Sequence, residues 1–186
     1  MALKSTIFKA QLQIADMDRH VYADHALTIA RHPSETDERM MMRIAAFALQ
    51  VPADDLHGRL ELAKGLSDPD EPDLWQKDLT GALVQWIEVG QPDERRLLKA
   101  AGRAELVSVF AYSTSVPIWW APLANKLSRA ENLAVWQVPA EQSQALAGLA
   151  ERSMRLQVNI QDGALWIDNG TASVELHPEA LMKPRG

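Results

Sequence analysis

The order of hydropathy patterns predicts a mixed α/β fold, a central mixed β-sheet flanked by helices with additional β-hairpins at the two ends. Three observations carry this. Two-residue alternation dominates both ends of the chain, a 3.6-residue period takes over in 34–50, and helical and apolar extended segments alternate from Pro92 to Arg152. Alternation of the last kind implies right-handed crossovers and parallel strand pairs.

The 186 residues are enough for one sizeable core and short for two, so a single domain over 1–186 is expected. Composition is close to the globular average, at 47% hydrophobic and 24% charged. The chain has no cysteine, which excludes disulfides and thiolate metal sites and fits a reducing compartment. No stretch reaches the roughly 18 apolar residues of a membrane span, and the N-terminus lacks a secretory pattern. A soluble, cytoplasmic protein without membrane attachment is expected; the oligomeric state is left open.

Each element has its own signal. "KSTIFKAQLQI" (4–14) and "VYADHALTIAR" (21–31) alternate about the polar turn "ADMDRH", a hairpin whose open edge needs covering by the chain's end or by a partner. "HPSETDERMMMRIAAFALQ" places Met41, Ile44, Ala45, Ala48 and Leu49 at helical spacing, with Ser34 as the expected N-cap and Val51-Pro52 as the stop. Short strands follow in 58–66, 74–81 and 82–90, the last pair turning near Gly81, and read as an antiparallel meander. A helix over 92–104 begins with Pro92, Asp93 and Glu94, which suit a helix N-terminus. A strand over 105–113, a helix around 116–130, a strand over 132–139 and a helix over 140–152 come next. Asp162-Gly163 and Asn169-Gly170 then mark hairpin turns in the tail. The antiparallel end pieces are expected to extend or flank the one central sheet.

Much familiar chemistry is missing. There is no glycine-rich phosphate loop, no nucleophile elbow and no His-Glu-x-x-His, and the five histidines have no ligand spacing. Carboxylates remain. Between Asp54 and Glu94 there are eleven Asp and Glu against Arg59, Lys64 and Lys77, a balance of −8, leaving +2 for the rest of a chain whose net charge is −6. That segment is either a solvated acidic surface or a cation-binding region; hard cations such as Mg²⁺ need only one or two carboxylates and several waters.

Glu88 is the most telling of these, because it interrupts the apolar "ALVQWIEVG" just before Gly90. An unpaired charge there is costly, so Glu88 faces solvent or meets a partner. Lys99, and Arg95 one turn earlier, lie on the following helix at a similar height, within reach of the sheet. An acid facing a base from the next helix fits a catalytic pair or a structural salt bridge equally well. Glu35 and Glu38 open the first helix, where helix-dipole compensation is the plainer role for Glu35. Asp78 ends the second meander strand and is either a turn former or a neighbour of Glu88 at one sheet edge. Asp68, Asp70, Glu71 and Asp73 are expected in a solvated loop, and Trp86, Trp119 and Trp120 in the core.

The stretches "ARHPSETDERMMMRIAAFAL" and "EPDLWQKDLTGALVQWIEVGQPDERRLLKA" resemble the bacterial YaeQ family, and the resemblance runs the length of the chain. That family is similar to a divergent branch of the PD-(D/E)xK nuclease-like superfamily, with a core of helix, three-stranded meander, helix and strand. Here the core would span roughly 34–150. The resemblance implies Mg²⁺ (or Mn²⁺) held by a first-helix acid, Glu38 or Glu35, by Asp78 on the second meander strand and by Glu88 on the third. It also implies nucleic acid as substrate. The lysine expected two residues after Glu88 is Gly90, so Lys99, with Arg95 behind it, is the candidate replacement. Two functions follow as alternatives. One is a metal-dependent nuclease or phosphodiesterase; the other is an inactive nuclease-like scaffold with a binding or regulatory role, which the family's link to transcript elongation would suit.

Overall fold

The computed structural model describes residues 4–185, which form two compact units. One comprises residues up to Ala53 together with Glu141–His177, the other Asp54–Ala140 with the C-terminal segment from Pro178. Each contains one mixed sheet, so the expected single central sheet is in fact two.

In the first unit, β1 (Thr6–Asp16) and β2 (Val21–Arg31) form the expected hairpin, paired from Thr6↔Arg31 to Asp16↔Val21. Phe8, Ala10, Leu12 and Ile14 of β1 are buried while Lys9, Gln11 and Gln13 are exposed, as a two-residue period requires. The tail does not extend a sheet shared with the meander. Its strand β8 (Ser153–Gln161) pairs parallel with β1, followed by β9 (Ala164–Asp168) and β10 (Ser173–Leu176), giving the order β10-β9-β8-β1-β2. Asp162 (φ 53°) and Gly163 (φ 75°) make the predicted tight turn, and the Asp18 carboxylate accepts both their N–H groups.

Helix α1 (Asp37–Gln50) buries Met40, Met41, Ile44, Ala45 and Ala48. Its N-cap is Thr36, whose hydroxyl accepts from the Arg39 N–H, rather than Ser34, which is engaged with the His32 ring. It ends at Val51, before Pro52. A later helix, Ala140–Ala147, stops at Gly148, short of the expected Arg152, because glycine lacks the side chain and helical bias to carry it on.

The second unit contains β3 (Leu60–Leu62), β4 (Leu74–Lys77), β5 (Leu83–Val89), helix α2 (Glu94–Ala101), β6 (Ala104–Tyr112), helix α3 (Val116–Trp120), β7 (Leu133–Val138) and the C-terminal strand β11 (Glu179–Met182); the Ala140–Ala147 helix is α4. The sheet order is β11-β7-β6-β5-β4-β3, antiparallel in the meander and parallel through β5, β6 and β7. The helix expected over 116–130 is only Val116–Trp120, since Pro122 has no N–H to continue it. Leu97, Val107, Leu127, Leu133 and Val135 are fully buried in one cluster with Trp86, and Trp119 and Trp120 pack partly buried against it. Strand β11, not foreseen, pairs antiparallel with β7.

Candidate functional site

Glu88 stands one residue before the end of β5 and is 5% exposed. Trp86, two residues earlier and hence on the same face, donates its indole N–H to Glu88 Oε1 at 2.9 Å. Arg96 Nε donates to the same oxygen at 2.6 Å. The partner is therefore Arg96, in the first turn of α2, and not Lys99 or Arg95, which are exposed. Leu97 and Ala100 are the buried positions of this helix, and Arg96 flanks them. The helical period turns Arg95 and Lys99 away from that side. Arg96 also donates Nη1–H to the Pro69 carbonyl (2.6 Å) and Nη2–H to the Glu71 carbonyl (2.9 Å), so one guanidinium joins β5, α2 and the acidic loop.

Asp73, expected in the solvated loop with Asp68, Asp70 and Glu71, is instead buried. It is 1% exposed and immediately precedes β4. Leu74 pairs with Ile87, which sets Asp73 opposite Glu88. The Asp73 N–H donates to the Ile87 carbonyl (3.1 Å), and Asp73 Oδ2 accepts from the Val89 N–H (2.7 Å). A Cβ on Gly65 (φ 51°) would come 2.6 Å from Asp73 Oδ1, so glycine permits this approach. Burial raises the pKa of Glu88, and the negative charge of Asp73 raises it further; Arg96 and the Trp86 hydrogen bond act the other way. Counting back from the Gly81 turn does not find this pair: Lys77 faces Leu83, a register that would set Asp73 opposite Ile87, and the irregularity between Gln76 and Lys77 moves it by one residue to Glu88.

The other predicted residues have separate surroundings. Asp78 lies at the opposite end of the β4–β5 hairpin, facing Ala82, six residues and about 20 Å along the strand from Glu88. It is exposed, and its Oδ1 accepts from the N–H and hydroxyl of Thr80 and from the Ala82 N–H, bonds that lower its pKa. That is a turn-forming role, so Asp73, not Asp78, accompanies Glu88. Glu35 is buried in the first unit between Arg39 (2.6 Å to Oε2) and Arg43, which bonds both carboxylate oxygens. Glu38, also in the first unit, accepts from the Ser143 hydroxyl at 2.9 Å. Gly90, where a lysine was expected, has φ 114°, a region costly for any residue with a side chain.

Among the described residues no group of three or more His, Asp or Glu side chains is placed to hold a metal ion. The Asp73–Glu88 pair is a smaller donor set. It offers two buried carboxylates on one hairpin, one carrying a raised pKa caused partly by the other, with both Glu88 hydrogen bonds on a single oxygen. Two carboxylates with water completing the shell suit Mg²⁺ or Mn²⁺.

Comparison with known proteins places the chain. The YaeQ protein family model matches residues 1–178. The YaeQ proteins of Salmonella typhi and Escherichia coli K12 are 44% and 42% identical to it over 185 residues, 99% of each chain. The crystal structure of YaeQ from Xanthomonas axonopodis pv. citri superposes with a TM-score of 0.91 at 46% identity, covering 97% of this chain and 99% of that one. The structure from Pseudomonas syringae gives 0.89 at 36% identity, covering 98% of both. No described helix is long and apolar enough to cross a membrane. With relatives this similar from end to end, the chain belongs to the YaeQ family.

Proposed function

We propose that the protein is a metal-dependent phosphodiesterase acting on nucleic acid, with Asp73 and Glu88 as its carboxylate ligands and Arg96 as the cation beside them. The observation that carries this reading is the pairing of two buried carboxylates, Asp73 opposite Glu88, at the end of the β4–β5 hairpin. Burying like charges together is unfavourable unless a cation offsets them, and Arg96 bonds Glu88 through Oε1. A divalent cation held there would lower the pKa of bound water and neutralise charge on a phosphodiester. Arg96 would orient Glu88 and add a fixed positive charge, in place of the lysine that the backbone at Gly90 disfavours. Trp75 and Trp86 continue along the same face, with Lys77 over the Trp75 ring (3.8 Å) and Arg103 over Trp86 (5.3 Å). These cations would help an acidic protein hold a polyanion.

The test is incubation of the purified protein with single- and double-stranded DNA and RNA, in Mg²⁺ or Mn²⁺ and then in EDTA, beside Asp73→Asn and Glu88→Gln. Metal-dependent cleavage lost in both variants is expected. Its absence in the unmodified protein would reject catalysis. A specific observation favours the second reading, an inactive scaffold with a binding or regulatory role: the Glu88–Arg96 ion pair already partly neutralises the site. Binding of Mn²⁺ through Asp73 and Glu88 without cleavage would select it.

A further inference from the structure

Strand β2 is an edge. Its eleven residues pair with β1 on one side, and among the described residues no strand pairs on the other. The hairpin edge was expected to be covered by the chain's end or by a partner, but the C-terminal strand β11 joins β7 instead. The register shows which backbone groups are left over. Lys9 and Met17 of the β1 segment donate their N–H groups to the carbonyls of Arg152 and Ile160, so odd residues there bond toward β8 and even ones toward β2. The even residues of β1 face odd residues of β2, as in Leu12↔His25 and Ile14↔Ala23. Tyr22, Asp24, Ala26, Thr28 and Ala30 therefore point their N–H and C=O groups outward. Among the described residues, the Ala30 carbonyl alone of these groups has a partner, Arg43 Nη2 at 3.4 Å.

Asp24 is the one charged residue among those five, and the edge has few other safeguards. It contains no proline, lysine or bulge, and those five residues are all exposed. It is also self-complementary. Ala26 is the midpoint of Val21–Arg31, and a two-fold axis through it pairs all eleven residues with a second copy. Ala26 then meets Ala26, Asp24 meets Thr28, Tyr22 meets Ala30, and on the alternate positions His25 meets Leu27 and Ala23 meets Ile29. No like charges face each other. An axis at Asp24 would oppose two carboxylates, and one at Thr28 would leave Tyr22 unpaired. We propose that the protein dimerises by antiparallel β2–β2 pairing about Ala26, joining two five-stranded sheets into one of ten strands.

Because the chain has no cysteine, a single substitution tests this. Residues exchanging hydrogen bonds across an antiparallel pair have Cα atoms about 5.5 Å apart, within disulfide range. The thiols of two Thr28→Cys chains would instead be roughly 14 Å apart along the strand. Sedimentation equilibrium should find a dimer of the unmodified chain, mild oxidation should cross-link Ala26→Cys and not Thr28→Cys, and Ala26→Pro should be monomeric with an unchanged circular dichroism spectrum. Should Ala26→Pro not fold, Ala26→Lys, which opposes two ammonium groups at the axis, takes its place. A monomer at every concentration, a dimer that Ala26→Cys fails to cross-link, or a dimer surviving the Pro or Lys substitution would overturn the proposal. The first of these would leave the edge open to an extended segment of another protein.

Discussion

Glu88 carries its charge where burial and Asp73 both oppose it, and Arg96 with Trp86 only partly compensates. Its folded pKa lies above its unfolded one, so the folded state binds the proton more tightly. The stability this contributes is complete below the ordinary glutamate pKa and is lost as pH rises through the raised value. Urea unfolding across that interval should therefore show stability declining with pH, with the decline reduced in Glu88→Gln; identical slopes would contradict the assignment. At this scale the sequence exposed half of the site. An isolated carboxylate in "ALVQWIEVG" was conspicuous, and a basic partner on the next helix was a sound inference. The choice among Arg95, Arg96 and Lys99 depends on helix rotation, which Leu97 and Ala100 set by burying themselves. Asp73 was hidden because its neighbours Asp68, Asp70 and Glu71 make it look like part of a solvated run, whereas one hydrogen bond to Ile87 draws it into the hairpin.

Among the elements, α1 shows how a periodic segment can be read well and its boundary misread. Met41, Ile44, Ala45 and Ala48 fix the buried stripe, but Ser34 and Thr36 are both competent caps, and the choice falls to where the chain leaves β2. Thr36→Ala should cost about 1 kcal/mol in equilibrium denaturation. Ser34→Ala should remain within about 0.5 kcal/mol, as exposed substitutions away from caps do. A reversal of that order would restore Ser34 as the cap. Helix α3 shows the opposite limit. Trp119 and Trp120 supply apolar character, yet Pro122 ends the hydrogen-bond ladder and leaves turns in place of the longer helix expected. The meander, by contrast, was legible because Gly81 and the acidic proline-punctuated loop delimit its strands.

For the molecule as a whole, alternating patterns located the strands but not the sheets to which they belong. Parallel pairing of β8 with β1 joins residues more than a hundred positions apart, and no local signal specifies it. The same holds for β11, four residues that protect the edge of β7 in the second unit. Removing 178–186 should accelerate amide exchange in Leu133–Val138 and leave β1 and β8 unchanged; uniform loss of protection would mean that the units do not behave separately. Whether the Asp73–Glu88 pair is a cation site is tested most directly by anomalous diffraction from crystals grown in Mn²⁺. A peak between the two carboxylates, absent in Glu88→Gln and retained in Asp78→Asn, is the predicted result. No peak there, or one at Asp78, would contradict it.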